Sequence, residues 1–210
     1  MSTTMNNSRV IQISKAMSYI LRHGCAKERI EISADGYVKV NDLLKNKNFK
    51  NITFQDIQHV VDTNDKKRFE LKQQDNEYYI RASQGHTIKT VTENDSLFTK
   101  ITDINQVPGV IHGTYRKHLV SIKEKGLNKM DRNHIHFATG DHGDVVSGMR
   151  GNCEIVIYID LEKALNDGIE FLLSKNGVVL CAGIQTEHGN HYLPPKYFTH
   201  ITDRAGNIIR

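Results

Sequence analysis

The spacing of apolar residues changes once along this chain of 210 residues, and that change limits the folds available to it. Up to about residue 90, segments with helical spacing alternate with short strand-like runs. From Val110 onward strands dominate, and the strand predicted at 154–160 contains an unbroken apolar run of the buried type between its charged ends. We therefore predict an α+β protein with two lobes, residues 1–92 and 109–210, joined by a polar linker at 93–108.

The first lobe is predicted to contain a helix, a strand, two helices and a hairpin, in that order. This order is typical of a winged-helix domain, a module that often binds nucleic acid. Gly24 is a plausible stop for the opening helix, and Thr53 with Asp56 resembles a capping box for the recognition helix. The predicted elements are helices at 10–22 and 53–63, a short helix capped by Asn41, and strands at 37–40, 68–71 and 78–82.

The second lobe is predicted to be rich in β-structure, with short helices between its strands. Gly126 stands where a helix C-cap is expected. The predicted strands are 110–112, 135–138, 154–160, 178–182 and 197–201, with helical segments at 115–125 and 144–149.

Composition narrows the class of protein further. Residues 1–90 carry 15 Lys and Arg against 10 Asp and Glu, and the remainder carries 13 against 14, so the first half either meets an anion or has a basic solvated surface. No apolar run is long enough for a membrane helix, and the N-terminal residues do not resemble a secretory signal. Three cysteines without CxxC spacing argue against a disulfide framework or a cysteine zinc site. We expect an intracellular protein, in the cytoplasm or the nucleus, without a metal.

Several polar motifs could carry chemistry, although each also has a purely structural explanation. Arg22 and His23 could clamp an anion and supply a proton, or could complement the end of the opening helix. His134 and His136 could bind a metal only with a third ligand, which the sequence does not show. The other candidates are Arg68 after a basic turn, Gln84-Gly85-His86-Thr87 as an anion-binding nest, His112-Gly113-Thr114 at a strand end, and Arg150 between glycines.

Taken together and in order, these motifs resemble those of one family, the NAD-dependent tRNA 2′-phosphotransferases, and its fungal-type members most of all. The resemblance extends from about residue 10 to Ala182. The segments that carry it are SKAMSYILRH at 14–23, DGY at 35–37, DKKRF at 65–69, QGH at 84–86, IHGT at 111–114, MDRNHIH at 130–136 and GMR at 148–150.

The resemblance implies a winged-helix lobe that binds the RNA phosphate and a second lobe of the ADP-ribosyltransferase type that binds NAD. It also implies a two-step reaction of spliced tRNA that needs no metal. The internal 2′-phosphate attacks the nicotinamide-bearing ribose carbon of NAD and expels nicotinamide. The 2″-hydroxyl of the attached ADP-ribose then attacks phosphorus, which leaves RNA with a 2′-hydroxyl and ADP-ribose 1″,2″-cyclic phosphate.

Roles for individual residues are implied in the same way. Arg22 and Arg68 would grip the RNA phosphate, Arg132 matches the third essential arginine of the family, and these arginines would stabilise charge in the transition state. His23 would protonate the departing 2′-oxygen or donate to the phosphate. His136 stands where many ADP-ribosyltransferases carry tyrosine. The expected RNA-phosphate ligands are Arg22, His23, Arg68, Gln84, Gly85, His86 and Thr87 (a serine in the family pattern), and the expected NAD ligands are His112, Gly113, Thr114, Arg132, Asn133, His134, His136, Ser147 and Arg150.

Two other functions stay open at this point. A winged-helix protein that binds nucleic acid without catalysis would explain the basic first half, and an ADP-ribosyltransferase of terminal nucleic-acid phosphates would use the same fold without the second step. We expect a monomer whose partners are NAD and an RNA with an internal 2′-phosphate.

Overall fold

The chain divides into two compact units, Met1–Leu97 and Phe98–Arg210, in a computed structural model that describes residues 5–92, 96–140, 148–149 and 151–209. Both units combine helices with antiparallel sheets, as an α+β protein does. Among the described residues, no helix is both long enough and apolar enough to cross a membrane.

The first unit packs three helices on one face of a small antiparallel sheet in the order β1-β3-β2. Its core is formed by helix residues such as Met17, Leu43 and Ile57, which meet Ile80 of the central strand. The elements are α1 (Asn7–Tyr19), a π-helical turn (Ile20–Gly24), β1 (Val38–Lys39), α2 (Val40–Lys45), a 3₁₀ turn (Lys47–Phe49), α3 (Phe54–Asp62), β2 (Phe69–Gln74) and β3 (Glu77–Ala82).

Local signals explain most of these elements. The capping box at α3 is confirmed, since Thr53 Oγ1 accepts from the Asp56 amide and the Asp56 carboxylate accepts from the Thr53 amide. The hairpin is confirmed as well, and its strands are longer than predicted because Asp75 and Asn76 alone form the turn, both at positive φ.

The start of α2 is a correction. Asn41 was expected to cap the helix, but the helix already begins at Val40, with Lys39 in the N-cap position. Val40 is 2% exposed, so burial of its side chain at the first helical position outweighs the local preference for an Asn cap. The predicted strand at 37–40 is correspondingly short.

The second unit is built on a seven-stranded antiparallel sheet in the order β13-β8-β5-β7-β10-β9-β4, with a small sheet β11-β12-β6. Its main core lies on one face, around Phe137, Ile157 and Phe171. The elements are β4 (Phe98–Ile101), a 3₁₀ turn (Ile104–Gln106), β5 (Val110–Thr114), a 3₁₀ turn (Arg116–His118), α4 (Leu119–Lys125), β6 (Leu127–Asn128), β7 (Ile135–Thr139), β8 (Ile155–Ile159), α5 (Leu161–Asn166), β9 (Phe171–Ser174), β10 (Val179–Cys181), β11 (Ile184–Gln185), β12 (His191–Leu193), a 3₁₀ turn (Pro195–Tyr197) and β13 (Phe198–Asp203).

Strand β4 corrects the predicted linker at 93–108. Phe98 and Ile101 are buried, and the strand pairs with β9 at the edge of the large sheet. Only the first and last residues of this strand are buried, and the residues between them are polar and exposed. The sequence pattern therefore resembles a polar loop and does not predict a strand. The helical turn predicted at 144–149 lies almost entirely outside the described residues.

Candidate functional site

Arg22 lies in the π-helical turn that continues α1, and its guanidinium packs against Gly85. A Cβ built on Gly85 would be 3.4 Å from Arg22 Nε, and Gly85 has a φ of +91°. Glycine is therefore favoured here by the backbone conformation, and a Cβ at this position would be in ordinary van der Waals contact with the guanidinium. The Nε and Nη2 atoms of Arg22 are buried although the residue as a whole is partly exposed.

His23 is exposed and is tied to the same segment through Thr87. The Nδ1 atom of His23 lies 3.1 Å from Thr87 Oγ1. The Thr87 amide donates to the Arg22 carbonyl oxygen at 2.9 Å, and its hydroxyl contacts the same oxygen at 3.4 Å. The residue expected to bind RNA phosphate through its hydroxyl thus holds the backbone of Arg22 and the ring of His23.

Arg68 lies next to Ser83, just before Gln84, because strands β2 and β3 pair in the hairpin. Its carbonyl oxygen accepts from the Ser83 amide at 2.8 Å, one residue before Gln84, and its own amide donates to the Asn64 side chain. The preceding Lys67 has a φ of +42° and its carbonyl accepts from the Ser83 hydroxyl. Arg68 therefore enters β2 through a backbone fixed at both sides.

We call Arg22, His23, Arg68 and residues 84–87 the unit 1 cluster. Residues from three separate stretches of sequence meet there, because residues 83–87 contact Arg68 at one end and Arg22 with His23 at the other. His86 is buried, 4% exposed, and a Cβ built on Gly36 would lie 3.4 Å from its Nε2. The DGY turn and the QGH segment are thereby neighbours in the fold.

In the second unit, His112 and Arg132 both contact His136, and we call these three residues the unit 2 cluster. His112 Nδ1 lies 2.8 Å from the His136 carbonyl oxygen, and Arg132 Nη1 lies 3.5 Å from His136 Nδ1. Burial lowers the pKa of His112, and the positive charge of Arg132 acts in the same direction, whereas the bond to the His136 oxygen opposes both. A neutral His112 that donates from Nδ1 keeps an acceptor lone pair on Nε2.

Gly113 and Gly148 are required by close packing in the second unit. A Cβ on Gly113 would collide with the Met149 side chain and lie 2.9 Å from Cys153 Sγ. A Cβ on Gly148, where φ is +85°, would lie 2.5 Å from the Phe137 carbonyl oxygen. The HGT and GMR motifs therefore approach each other closely in the fold, although Gly113 and Gly148 are separated by 35 positions in the sequence.

The other residues expected to bind NAD are distributed as follows. Thr114 lies in β5 rather than at a strand-to-helix junction, because β5 continues through the whole HGT motif. His134 precedes β7 instead of sharing it with His136, and its ring contacts Phe98 edge-on at 5.7 Å. Asn133 is partly buried in the preceding turn. Ser147 and Arg150 lie outside the described residues. Among the described residues, no group of three or more His, Cys, Asp or Glu side chains could hold a metal ion.

Cys25, the thiol nearest to Arg22 and His23 in sequence, is a buried structural residue. Its Sγ donates to the Ile20 carbonyl at 3.2 Å, five residues earlier, and burial raises its pKa to about 11. A thiol with so high a pKa holds little thiolate near neutrality and is a poor nucleophile.

Sequence reasoning missed Arg81, the largest fully buried polar side chain among the described residues. It donates to the Glu70 carboxylate at 2.9 and 2.7 Å and to the Asp35 carbonyl at 3.0 Å. The signal was present, since a two-residue turn at 75–76 places Glu70 directly opposite Arg81 in the hairpin. Through Asp35, Arg81 supports the turn that packs on His86.

The described residues form an α+β protein, and Arg22, His23 and residues 84–87 lie together in its first unit. Residues 8–183 match the model of a family described as RNA 2′-phosphotransferase, Tpt1 / KptA family. The chain belongs to this family of enzymes, which confirms the resemblance of its motifs.

Relatives of vertebrate and fungal origin support the assignment. The chain is 42% identical over 180 residues to tRNA 2′-phosphotransferase 1 of Danio rerio, covering 84% of this chain and 80% of that protein. It is 36% identical over 189 residues to tRNA 2′-phosphotransferase of Saccharomyces cerevisiae, covering 86% and 82%. A relative in Schizosaccharomyces pombe is 39% identical over 202 residues, and there the chain spans 95% of its own length but only 53% of the relative.

Proposed function

We propose that this chain is an NAD-dependent RNA 2′-phosphotransferase that removes an internal 2′-phosphate from spliced tRNA. The observation that carries the proposal is the unit 1 cluster, in which Arg22, His23 and Arg68 converge on residues 83–87. Family membership supplies the reaction class, and the cluster supplies side chains suited to it.

The chemistry of a 2′-phosphate suits these side chains. A phosphate dianion must be held in one orientation while it reacts, and guanidinium groups do this with paired, charge-assisted hydrogen bonds. The Arg22 side chain packs against Gly85, so less of its side-chain freedom is lost when phosphate binds. The backbone of Arg68 is fixed by its hydrogen bonds to Asn64 and Ser83. His23, which is exposed beside Arg22, is the group that protonates the departing 2′-oxygen.

We assign NAD to the second unit as a co-substrate. The donor and acceptor set fits a dinucleotide, since Arg132 is an exposed cation for its phosphates and neutral His112 offers an Nε2 acceptor to a ribose hydroxyl. When bound, NAD supplies an electrophilic ribose carbon with nicotinamide as its leaving group. The glycine at 113 and the fixed ring of His112 shape the strand end that would hold the ribose.

The fold is consistent with this division of labour. Helix, strand, two helices and a hairpin follow one another in the first unit, which favours a winged-helix lobe for the RNA. The antiparallel sheet of the second unit favours the ADP-ribosyltransferase-type lobe that the motifs imply. We also propose that the enzyme acts as a monomer, within the compartment where its RNA is spliced, the nucleus or the cytoplasm.

A direct test is incubation of the protein with a short RNA that carries one internal 2′-phosphate, with and without NAD. Mass spectrometry should show loss of the phosphate only with NAD, together with nicotinamide and a cyclic phosphate of ADP-ribose. An RNA that retains ADP-ribose would favour a transferase that stops after the first step. Unchanged RNA that still binds the protein would favour the non-catalytic winged-helix alternative.

A further inference from the structure

The hydroxyl of Thr87 stands between a histidine ring nitrogen and a backbone carbonyl, and this arrangement restricts where protons can be. Thr87 Oγ1 lies 3.1 Å from His23 Nδ1 and 3.4 Å from the Arg22 carbonyl oxygen. The carbonyl can only accept a hydrogen bond, whereas the hydroxyl has one proton to donate and lone pairs that accept.

One arrangement alone satisfies both contacts. The Thr87 hydroxyl donates to the Arg22 oxygen, and its lone pair then accepts a proton from His23 Nδ1. In a neutral imidazole only one nitrogen carries the proton, so Nδ1–H leaves the lone pair on Nε2. When His23 is protonated, Nε2–H is the acidic group that does not bind Thr87.

The backbone makes this arrangement robust. The Thr87 amide donates to the same Arg22 oxygen at 2.9 Å, so the threonine is held in register with the π-helical turn independently of its side chain. Gly85, two residues earlier, packs on the Arg22 guanidinium. One short segment therefore positions both the cation and the ring next to it.

We propose that Thr87 is a positioning residue that holds neutral His23 in the Nδ1–H tautomer, so that Nε2 is the nitrogen that exchanges a proton with the RNA. The inference rests on the proposed function for its catalytic consequence, but the tautomer itself is a property of the protein alone. It also gives Thr87 a role other than the phosphate contact implied by the family resemblance. A serine would preserve this role, since it retains the hydroxyl.

The tautomer can be measured without substrate. Long-range proton–nitrogen correlation spectra of the full chain, labelled with ¹⁵N at histidine, distinguish a protonated ring nitrogen from one with a lone pair, and a His23→Asn variant assigns the signals among the 11 histidines. We expect neutral His23 to be protonated at Nδ1 in the wild type and in Thr87→Ser, and to become a mixture in Thr87→Val. An Nε2–H tautomer in the wild type, or an unchanged tautomer in Thr87→Val, would overturn the proposal.

Activity provides the second readout. Thr87→Val should lower kcat for 2′-phosphate removal by about 10- to 100-fold, less than the ~10²–10⁴ that a general acid itself contributes, and Thr87→Ser should restore most of it. Thr63→Val is the matched control, because Thr63 also donates its hydroxyl to a backbone carbonyl, that of His59, outside the unit 1 cluster. Equal rates in the two valine variants would overturn the positioning role. An inactive wild type with the Nδ1–H tautomer would instead refute the proposed function and support the tautomer.

Discussion

Replacing Arg81 with alanine should destabilise the first unit by about 3 kcal/mol. The side chain is 1% exposed, and it donates to the Glu70 carboxylate, to the Asp35 carbonyl and to the side chain and carbonyl of Ser96. Its guanidinium also lies 4.4 Å from the centre of the Tyr37 ring. Truncation removes these donors while their acceptors stay in place.

The expected loss in the free energy of unfolding follows from the hydrogen bonds and the ion pair that the acceptors of Arg81 lose. Breaking a buried ion pair from one side typically costs about 3–5 kcal/mol, and an acceptor left unsatisfied costs about 1–3 kcal/mol. The Glu70 side chain is 30% exposed, so water can solvate its carboxylate after Arg81 is removed. We therefore expect the lower end of the range for a broken ion pair, about 3 kcal/mol. Arg81→Lys should cost less than Arg81→Ala, since it keeps the charge but loses the paired geometry.

Urea unfolding followed by circular dichroism measures the effect. At a slope of about 2 kcal/mol per molar urea, the Arg81→Ala midpoint should fall by roughly 1.5 M. Lys39→Ala is the matched control in the same sheet, because its ion pair with Glu77 spans 3.6 Å and is exposed, and its loss should stay within about 0.5 kcal/mol. Equal losses for the two variants would refute the reasoning.

Three further predictions concern the unit 1 cluster and its support. Arg68→Ala should abolish 2′-phosphate removal with an unchanged thermal melt, and a collapsed melt would assign Arg68 a structural role instead. Gly85→Ala should lose activity because a side chain at φ +91° strains the backbone of residues 84–87, which holds Arg22 and His23, whereas Gly206→Ala, at φ +87° but outside the unit 1 cluster, should remain active at a similar stability cost of about 1–2 kcal/mol. Because the folded-state pKa of Cys25 is raised from 9.0 to about 11, the folded protein holds a proton that the unfolded chain has lost, so the free energy of unfolding should fall as pH rises from 9 to 11. The fall should be smaller in Cys25→Ala, and an equal fall would show that burial of this thiol is not its cause.

Local signals predicted the first unit well and the second unit less completely. Capping by Thr53 and Asp56 and the hairpin that ends at Ala82 depend on neighbouring residues, so the sequence contains their cause. Strand β4 has two polar residues between Phe98 and Ile101, and it pairs with β9, which lies 70 or more residues later in the chain. Strand β9 is apolar but only four residues long, so its sequence alone does not separate a strand from a helix. Such tertiary pairing is invisible to a window of local sequence.

The candidate residues could be named from motifs, but their arrangement could not. Arg22 and His23 lie in a π-helical turn in which Ile20 and Leu21 are buried, and local helix propensity does not predict such a turn. The contact between the Thr87 hydroxyl and the His23 ring joins residues that are 64 positions apart in the sequence, so no local pattern predicts it. The ion pair of Arg81 could be predicted from the sequence, because the two turn residues fix the register of the hairpin and that register places Glu70 opposite Arg81.

The most direct test of the proposed function is to follow the phosphorus atom itself. An RNA with a ³²P-labelled internal 2′-phosphate is incubated with the protein and NAD, and the labelled product is separated from inorganic phosphate and compared with the amount of nicotinamide released. The proposal predicts that the label moves from the RNA to a cyclic phosphate of ADP-ribose, in equal amount to nicotinamide. Label released as inorganic phosphate, or released equally well without NAD, would contradict it.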